Sequence, residues 1–218
     1  MIRLFVYLFL TILLSGCKID FNGDLFTADL IEVAKTGKSV NLPMEIRFQV
    51  SSCDEDLTAF SNKISTFFID YKQIECGTGD DFMSYITSNI SVPVVNNKKE
   101  FEDQNKSLIG YWSGIFENRN KPDVFLIMNL DKLSSLSDFV EKETFQKLSL
   151  EEGKFEINLI NDIDDAKISI YSSRVDGQPI VFETTFELKK RDKITIESSN
   201  ITSGHLEKYG WAPLFYFE

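Results

Sequence analysis

The chain has 218 residues, 43% of them hydrophobic and 13% aromatic, with 19 phenylalanines. That composition supports a packed core and excludes a disordered chain, and the length suits one domain or two small ones. The net charge of −11 argues against a nucleic-acid partner and against electrostatic adhesion to anionic lipid headgroups.

Met1 to Gly16 has the three parts of an export signal: Arg3 with the free amine, an apolar run over Leu4–Leu14 interrupted by Thr11, and small residues Ser15 and Gly16 before a cut. As a helix the run would reach roughly 16 Å, against about 30 Å of bilayer hydrocarbon, so it is too short to span. Leu14-Ser15-Gly16-Cys17 resembles the lipobox of bacterial lipoproteins. That resemblance implies cleavage before Cys17, a diacylglyceryl thioether on its sulfur and a further acyl chain, such as palmitate, on the new amine. Two or more acyl chains hold a protein stably at a bilayer. In enteric-type lipoproteins an aspartate after the cysteine signals inner-membrane retention. Lys18 stands there instead, which implies the outer membrane, facing the periplasm.

With Cys17 assigned to lipid, Cys53 and Cys76 remain. In an oxidising compartment they read as a disulfide, closing a loop for which chain entropy gives roughly 3–4 kcal/mol. The alternatives are two free thiols or a metal pair. One histidine and no Cys-x-x-Cys leave few soft ligands for zinc, and no metal or cofactor is expected.

The segment 17–39 reads as a membrane-proximal stretch: a short strand at Ile19 and Phe21, then a helix from a Thr27 cap to about Lys35, with Gly37 past its end. A single α+β domain is expected over 40–218. Val40 to Val50 alternates apolar and polar, the clearest strand in the chain. A helix should start at Asp54-Glu55-Asp56, carrying Leu57, Phe60, Ile64, Phe67, Phe68 and Tyr71 on one side. Lys72 to Cys76 reads as a strand parallel to the first, so the crossover helix brings both sulfurs to one end.

Phe82 to Val95 predicts a long strand, with Phe82, Ser84, Ile86, Ser88 and Ile90 on one side. Leu108–Phe116 and Asp123–Asn129 flank a hairpin loop at Asn118-Arg119-Asn120-Lys121, and Asp131 caps a helix to about Glu143. From Phe155 on, alternating runs with an Asp176-Gly177 turn predict an antiparallel β-meander, then a short helix over Thr202–Tyr209 and a strand over Trp211–Phe217. The fold expected is therefore α+β: a mixed αβ N-terminal half and a meander C-terminal half, with a weak boundary near Asp131.

Candidate chemistry is sparse. His205 is the single histidine, and Ser113 in Gly110-Tyr111-Trp112-Ser113-Gly114 is one place late for a nucleophile elbow. Neither reads as catalytic. Asn161-Asp162-Ile163-Asp164-Asp165, like Asp80-Asp81, offers oxygens for Ca²⁺ but lacks the glycine and distal glutamate of an EF-hand, so a solvated turn is expected. Lys189, Lys190, Arg191 and Lys193 form a basic turn, read as edge protection or as a partner contact. Trp112, Trp211, Phe215 and Tyr216 read as packing or as an exposed aromatic patch.

Ser15 to Gly23, Phe26 to Leu30 and the strand ending Ser52-Cys53 resemble small lipoproteins of uncharacterised function found in enteric bacteria and their prophages. The anchor, the acidity and the missing catalytic set point to a membrane-anchored, non-enzymatic envelope lipoprotein with a binding or modulating role, whose partners are the bilayer through Cys17 and another envelope protein; the resemblance implies a prophage-encoded one. A periplasmic hydrolase with paired carboxylates and a carrier of a small apolar ligand remain as alternatives.

Overall fold

The computed structural model describes residues 17–53, 57–116 and 120–218. The export signal expected over residues 1–16, the acidic triplet Asp54–Asp56 and the first part of the 118–121 turn lie outside them. Among the described residues are fourteen strands and five helices: a mixed, mostly β fold built on one curled sheet.

The first strand, β1 (Cys17–Phe26), lies in the middle of that sheet. It pairs antiparallel with β2 (Val40–Val50) and parallel with β8 (Phe155–Ile160). Ile19, Phe21 and Leu25 are fully buried, and Phe21 stacks on Phe155 at 4.8 Å. Residues 17–39 are thus part of the domain and do not form a segment in front of it. The physical reason is the alternation at Ile19, Phe21 and Leu25, which supplies an apolar face that must be covered. Helix α1 (Thr27–Thr36) follows and buries Leu30 and Val33, with Gly37 left-handed at φ 70° as its C-cap.

Next come α2 (Thr58–Ser65), β3 (Ile69–Thr78) and β4 (Ser84–Val95). Both β2 and β3 pair antiparallel with β4, so they run parallel to one another on either side of it. The expected crossover exists, with β4 inserted between its strands. Helix α2 is shorter than the apolar spacing predicts. Ser65 and Thr66 hydroxyls donate to the carbonyls of Asn62 and Lys63, and Asp70 takes φ 52°, which starts the strand early. Tyr71, expected on the helix, sits in β3 and meets Ser61 at 3.1 Å. Phe82, expected to open β4, precedes it in the turn at φ 64°.

Helix α3 (Lys98–Gln104) leads to β5 (Ile109–Gly114), which pairs parallel with the end of β4. A side chain at Gly110 would meet the ring of Phe101 at 2.8 Å, so α3 sits as close to β5 as its glycine allows. Hairpin partner β6 (Asp123–Met128) is followed by α4 (Leu130–Thr144). Its N-cap is Asn129, whose Oδ1 accepts from Lys132 N at 3.0 Å, two residues before the expected Asp131.

The short β7 (Leu148–Ser149) pairs parallel with the start of β1, and β8 pairs antiparallel with β13 (Lys193–Ser198). Between them, β9 (Ala166–Tyr171), β10 (Ser173–Val175), β11 (Gln178–Pro179) and β12 (Glu183–Leu188) make one long hairpin. Asp176 and Gly177 turn it at φ 48° and 79°. Helix α5 (Asn200–Tyr209) and β14 (Trp211–Phe217) close the chain.

The C-terminal strands are not a meander in sequence order. β8 pairs with β1 and β13, whereas β9 pairs with β14 and β12. The sheet also crosses the expected boundary near Asp131, since β1 pairs with β8 and β6 with β14. At the long hairpin β9 holds β14 while β10 holds β13, so the two ends of the sheet meet on one bent ribbon. The inside of this curl is filled by Phe21, Phe48, Phe155, Phe215 and their aliphatic neighbours.

Candidate functional site at the Cys17 end of the sheet

Cys17 is the first residue of β1, and its surroundings are built by three strands. Its backbone N–H donates to Lys147 O at 2.8 Å, just before β7. Its Sγ donates to Gln49 O of β2 at 3.0 Å, and the residue is 1% exposed. Burial pushes the thiol up to about 12. Lys18 N–H donates to the buried Gln49 Oε1 at 3.2 Å, so one side chain steers the entry of β1.

Beside Cys17 lies a cleft of about 430 Å³ lined by Lys18, Asp20, Arg47, Asp81, Tyr85 and Lys154 among others. Strand alternation puts Lys18 and Asp20 on the face opposite Cys17 and Ile19. Tyr85 Oη donates to Asp81 Oδ2 at 2.6 Å, Met83 N–H donates to Asp81 Oδ1 at 3.1 Å, and Lys18 Nζ stands 3.7 Å from Asp81. The Tyr85 hydrogen bond, then the Met83 amide and the Lys18 charge, hold the Asp81 carboxyl below the usual carboxylate range. Burial and the Asp81 carboxylate hold the Tyr85 phenol above its usual range, and the Arg47 guanidinium lies 4.5 Å over its ring. On the far wall Asp20 Oδ1 accepts Lys154 N–H at 2.9 Å. Tyr85, Asp81, Lys18 and Arg47 engage one another, so the cleft is suited to orienting a polar group.

Cys53 and Cys76 are joined, with Cα atoms 5.6 Å apart. Cys53 follows β2, and Cys76 faces Ile86 across the β3–β4 ladder. Both therefore lie toward the end of the sheet that carries Cys17, as the crossover argument expected.

The other sequence candidates are scattered and structural. Ser113 is fully buried, and its Oγ donates to Leu30 O at 2.8 Å, fastening α1 to β5. His205 Nδ1 meets Trp211 O at 2.6 Å, and its ring packs between Tyr209 and Trp211. In the acidic turn, Asn161 Nδ2 donates to Leu188 O and Asp164 O, while Asp162 Oδ1 accepts the Ala28 N–H of α1 at 2.8 Å. The basic turn sits against it: Arg191 N–H donates to Asn161 O at 2.6 Å, and Lys190 Nζ is 3.8 Å from Asp164.

Of the four aromatics singled out, Phe215 is core, and Tyr216 donates to Glu183 at 2.7 Å. Trp112 and Trp211 join Phe116 and Phe125 on the outer face of the sheet. Trp112 Nε1 donates to Asn96 O at 2.9 Å. Glu207 is raised by partial burial and by the charge of Glu151, but both side chains lie on the exposed surface. Among the described residues no group of three or more His, Cys, Asp or Glu is placed to hold a metal ion, and no helix is long and apolar enough to cross a membrane.

Sequence reading missed the cleft. Lys18, Arg47 and Asp81 sit on three separate strands or turns, and nothing in their local spacing marks that they meet. Asp80-Asp81 was visible only as an acidic turn.

A family model described as "Domain of unknown function (DUF7424)" matches residues 21–218. No curated protein and no solved structure matches the chain. The family match covers nearly all of the chain, from Phe21 in β1 to its last residue, and the chain belongs to that family.

Proposed function

We propose that this DUF7424 member is an envelope lipoprotein, held at the outer membrane by an acylated Cys17, with a non-enzymatic role in binding or modulating another envelope component. The lipobox Leu14-Ser15-Gly16-Cys17 at the end of an eleven-residue apolar run supports the anchor. The observation that carries the reading is that Cys17 already lies in β1. An anchor there leaves no leash, so the domain rides against the bilayer and meets partners within a few ångströms of the headgroups. A prophage origin fits the likeness of the stretch from Ser15 to Cys53 to small lipoproteins of enteric bacteria and their prophages.

The chemistry of Cys17 sets an order of events. Diacylglyceryl transfer needs access to the sulfur, and Cys17 is 1% exposed within the sheet, where burial also pushes the thiol up. Lipidation therefore precedes docking of β1 into the sheet. The acylated amine remains an amide N–H and keeps its bond to Lys147 O. The thioether has no S–H, so it gives up the bond to Gln49 O.

Mass spectrometry of the N-terminal peptide from the purified membrane fraction tests this. The expected peptide starts at Cys17 and carries acyl groups, and a Cys17→Ser chain loses both the mass and the membrane fractionation. An unmodified Cys17 overturns the anchor. Crosslinking of the anchored chain in intact envelopes tests the binding role, which requires a specific protein adduct.

A further inference from the structure

Two phenylalanines near Cys17 are held almost wholly in solvent. Phe82 is 91% exposed and Phe145 is 93% exposed. Both are in the left-handed region, at φ 64° and 59°. A bulky residue rarely sits there, since glycine or asparagine fills such positions without strain. Phe82 terminates the Gly79–Phe82 turn, donating its N–H to Gly79 O at 3.0 Å; Phe145 is the C-cap of α4, donating to Glu141 O at 2.9 Å. Each turn fixes its backbone and throws the ring outward.

Their places in the fold flank the anchor. Cys17 Sγ contacts Gln49 O; the next residue of β2, Val50, pairs with Ser84, two residues after Phe82. Lys18 Nζ reaches Asp81, the neighbour of Phe82. On the other side, Cys17 N–H is bound by Lys147 O, two residues after Phe145, and Cys17 pairs with Leu148. One ring therefore stands on the β4 side of Cys17 and the other on the β7 side, with Met83 partly exposed beside the first.

We infer that Phe82 and Phe145 are a membrane-contact surface that sinks into the headgroup–acyl boundary on either side of the lipidated Cys17. This rests on the acylation proposed above. The occupant is the bilayer because the residue proposed to carry the lipid lies in β1 itself, between the strand ends that lead to the two rings, with no intervening linker. The chain's net charge of −11 offers no general attraction to anionic headgroups, so contact has to be apolar. Insertion of two rings converts a single-point tether into a three-point seat. It fixes which face of the domain, including the Asp81–Tyr85 cleft, looks along the membrane.

The test uses the full chain, processed in cells, purified and reconstituted in phosphatidylethanolamine–phosphatidylglycerol vesicles carrying bromine at shallow acyl positions. Phe82→Trp and Phe145→Trp are made singly, and the emission of the parent chain, which reports Trp112 and Trp211, is subtracted. Each added indole is expected to be blue-shifted and quenched about twofold or more relative to the same variant in bromine-free vesicles. Water-like, unquenched emission at both positions, or quenching at one alone, overturns the two-sided seat. Such a result on a chain whose Cys17 peptide carries acyl groups leaves the anchor standing. A bare Cys17 overturns the anchor and this inference together.

Discussion

Asp162 Oδ1 accepts the backbone N–H of Ala28 at 2.8 Å, so the first turn of α1 is capped by a carboxylate 134 residues further along the chain. Thr27 Oγ1 lies 2.9 Å from the same oxygen and 3.0 Å from Asn161 Oδ1. The acidic turn, expected to be merely solvated, is the lock between the N-terminal helix and the β8–β9 connection. Its negative charge is placed where exposed helical N–H groups gather.

Asp162→Ala removes that cap, and the expected loss is about 1 kcal/mol in urea unfolding. Asp164→Ala serves as the control, because Asp164 makes only a loose exposed ion pair with Lys190 at 3.8 Å and should stay within about 0.5 kcal/mol of the parent. Equal effects from the two changes would show that the cap is energetically idle.

Cys17 in a folded, unacylated, oxidised chain should react with a thiol reagent about 10³-fold more slowly than an ordinary exposed cysteine, given a thiol near 12. Urea should restore the ordinary rate. Fast labelling in native buffer would mean that β1 frays at Cys17 and that lipid can be added after folding.

The Cys53–Cys76 bond closes a loop with a sequence separation of 23. The double change Cys53→Ser, Cys76→Ser is expected to lower unfolding free energy by about 3 kcal/mol. Addition of reductant to the parent chain should reproduce the shift, and neither treatment should alter the mass at Cys17.

Gly153 crosses β1 so closely that a Cβ there collides with the Ile19 carbonyl. That atom is backbone in a central strand and cannot swing away. Gly153→Ala should destabilise the fold by about 1–3 kcal/mol, read by thermal or urea unfolding. Gly177→Ala, where nothing lies within 4 Å, provides the contrast, since it tests positive φ alone.

In the cleft, Tyr85→Phe removes the 2.6 Å bond to Asp81 Oδ2. The Asp81 carboxyl should then titrate higher, toward its ordinary range, in an NMR pH series. The sign follows from a folded value lying below the unfolded one. The stabilisation is fully present above the ordinary aspartate range near pH 4 and is lost as pH falls through the depressed folded value. Tyr85→Phe should therefore flatten the acid limb of the stability curve. An unchanged Asp81 titration would place the cause in Lys18 instead.

Local pattern is a strong guide wherever a residue's fate depends on its near neighbours. The alternation from Val40 to Val50 is β2, the Trp211–Phe217 run is β14, and Asp176-Gly177 turns a hairpin. Gly37 caps α1 in the left-handed region that its lack of a side chain permits. The pairing of Cys53 with Cys76 follows from counting thiols and from a crossover that keeps both strand ends together.

Partners far apart in the chain were decided by tertiary structure alone. Periodicity tells which face of a strand is apolar, but not which strand will cover it: β8 could have joined β9, yet its Phe155 stacks on Phe21 and puts it beside β1. The same holds for the cleft, where Lys18, Arg47 and Asp81 converge only after β1, β2 and the β3–β4 turn are assembled. The proposed envelope address rests on the sequence by itself, because a short apolar run ending at a cysteine needs no folded context to be read. The tertiary structure decided that this cysteine opens a central strand, because only the closed sheet shows what lies on either side of it.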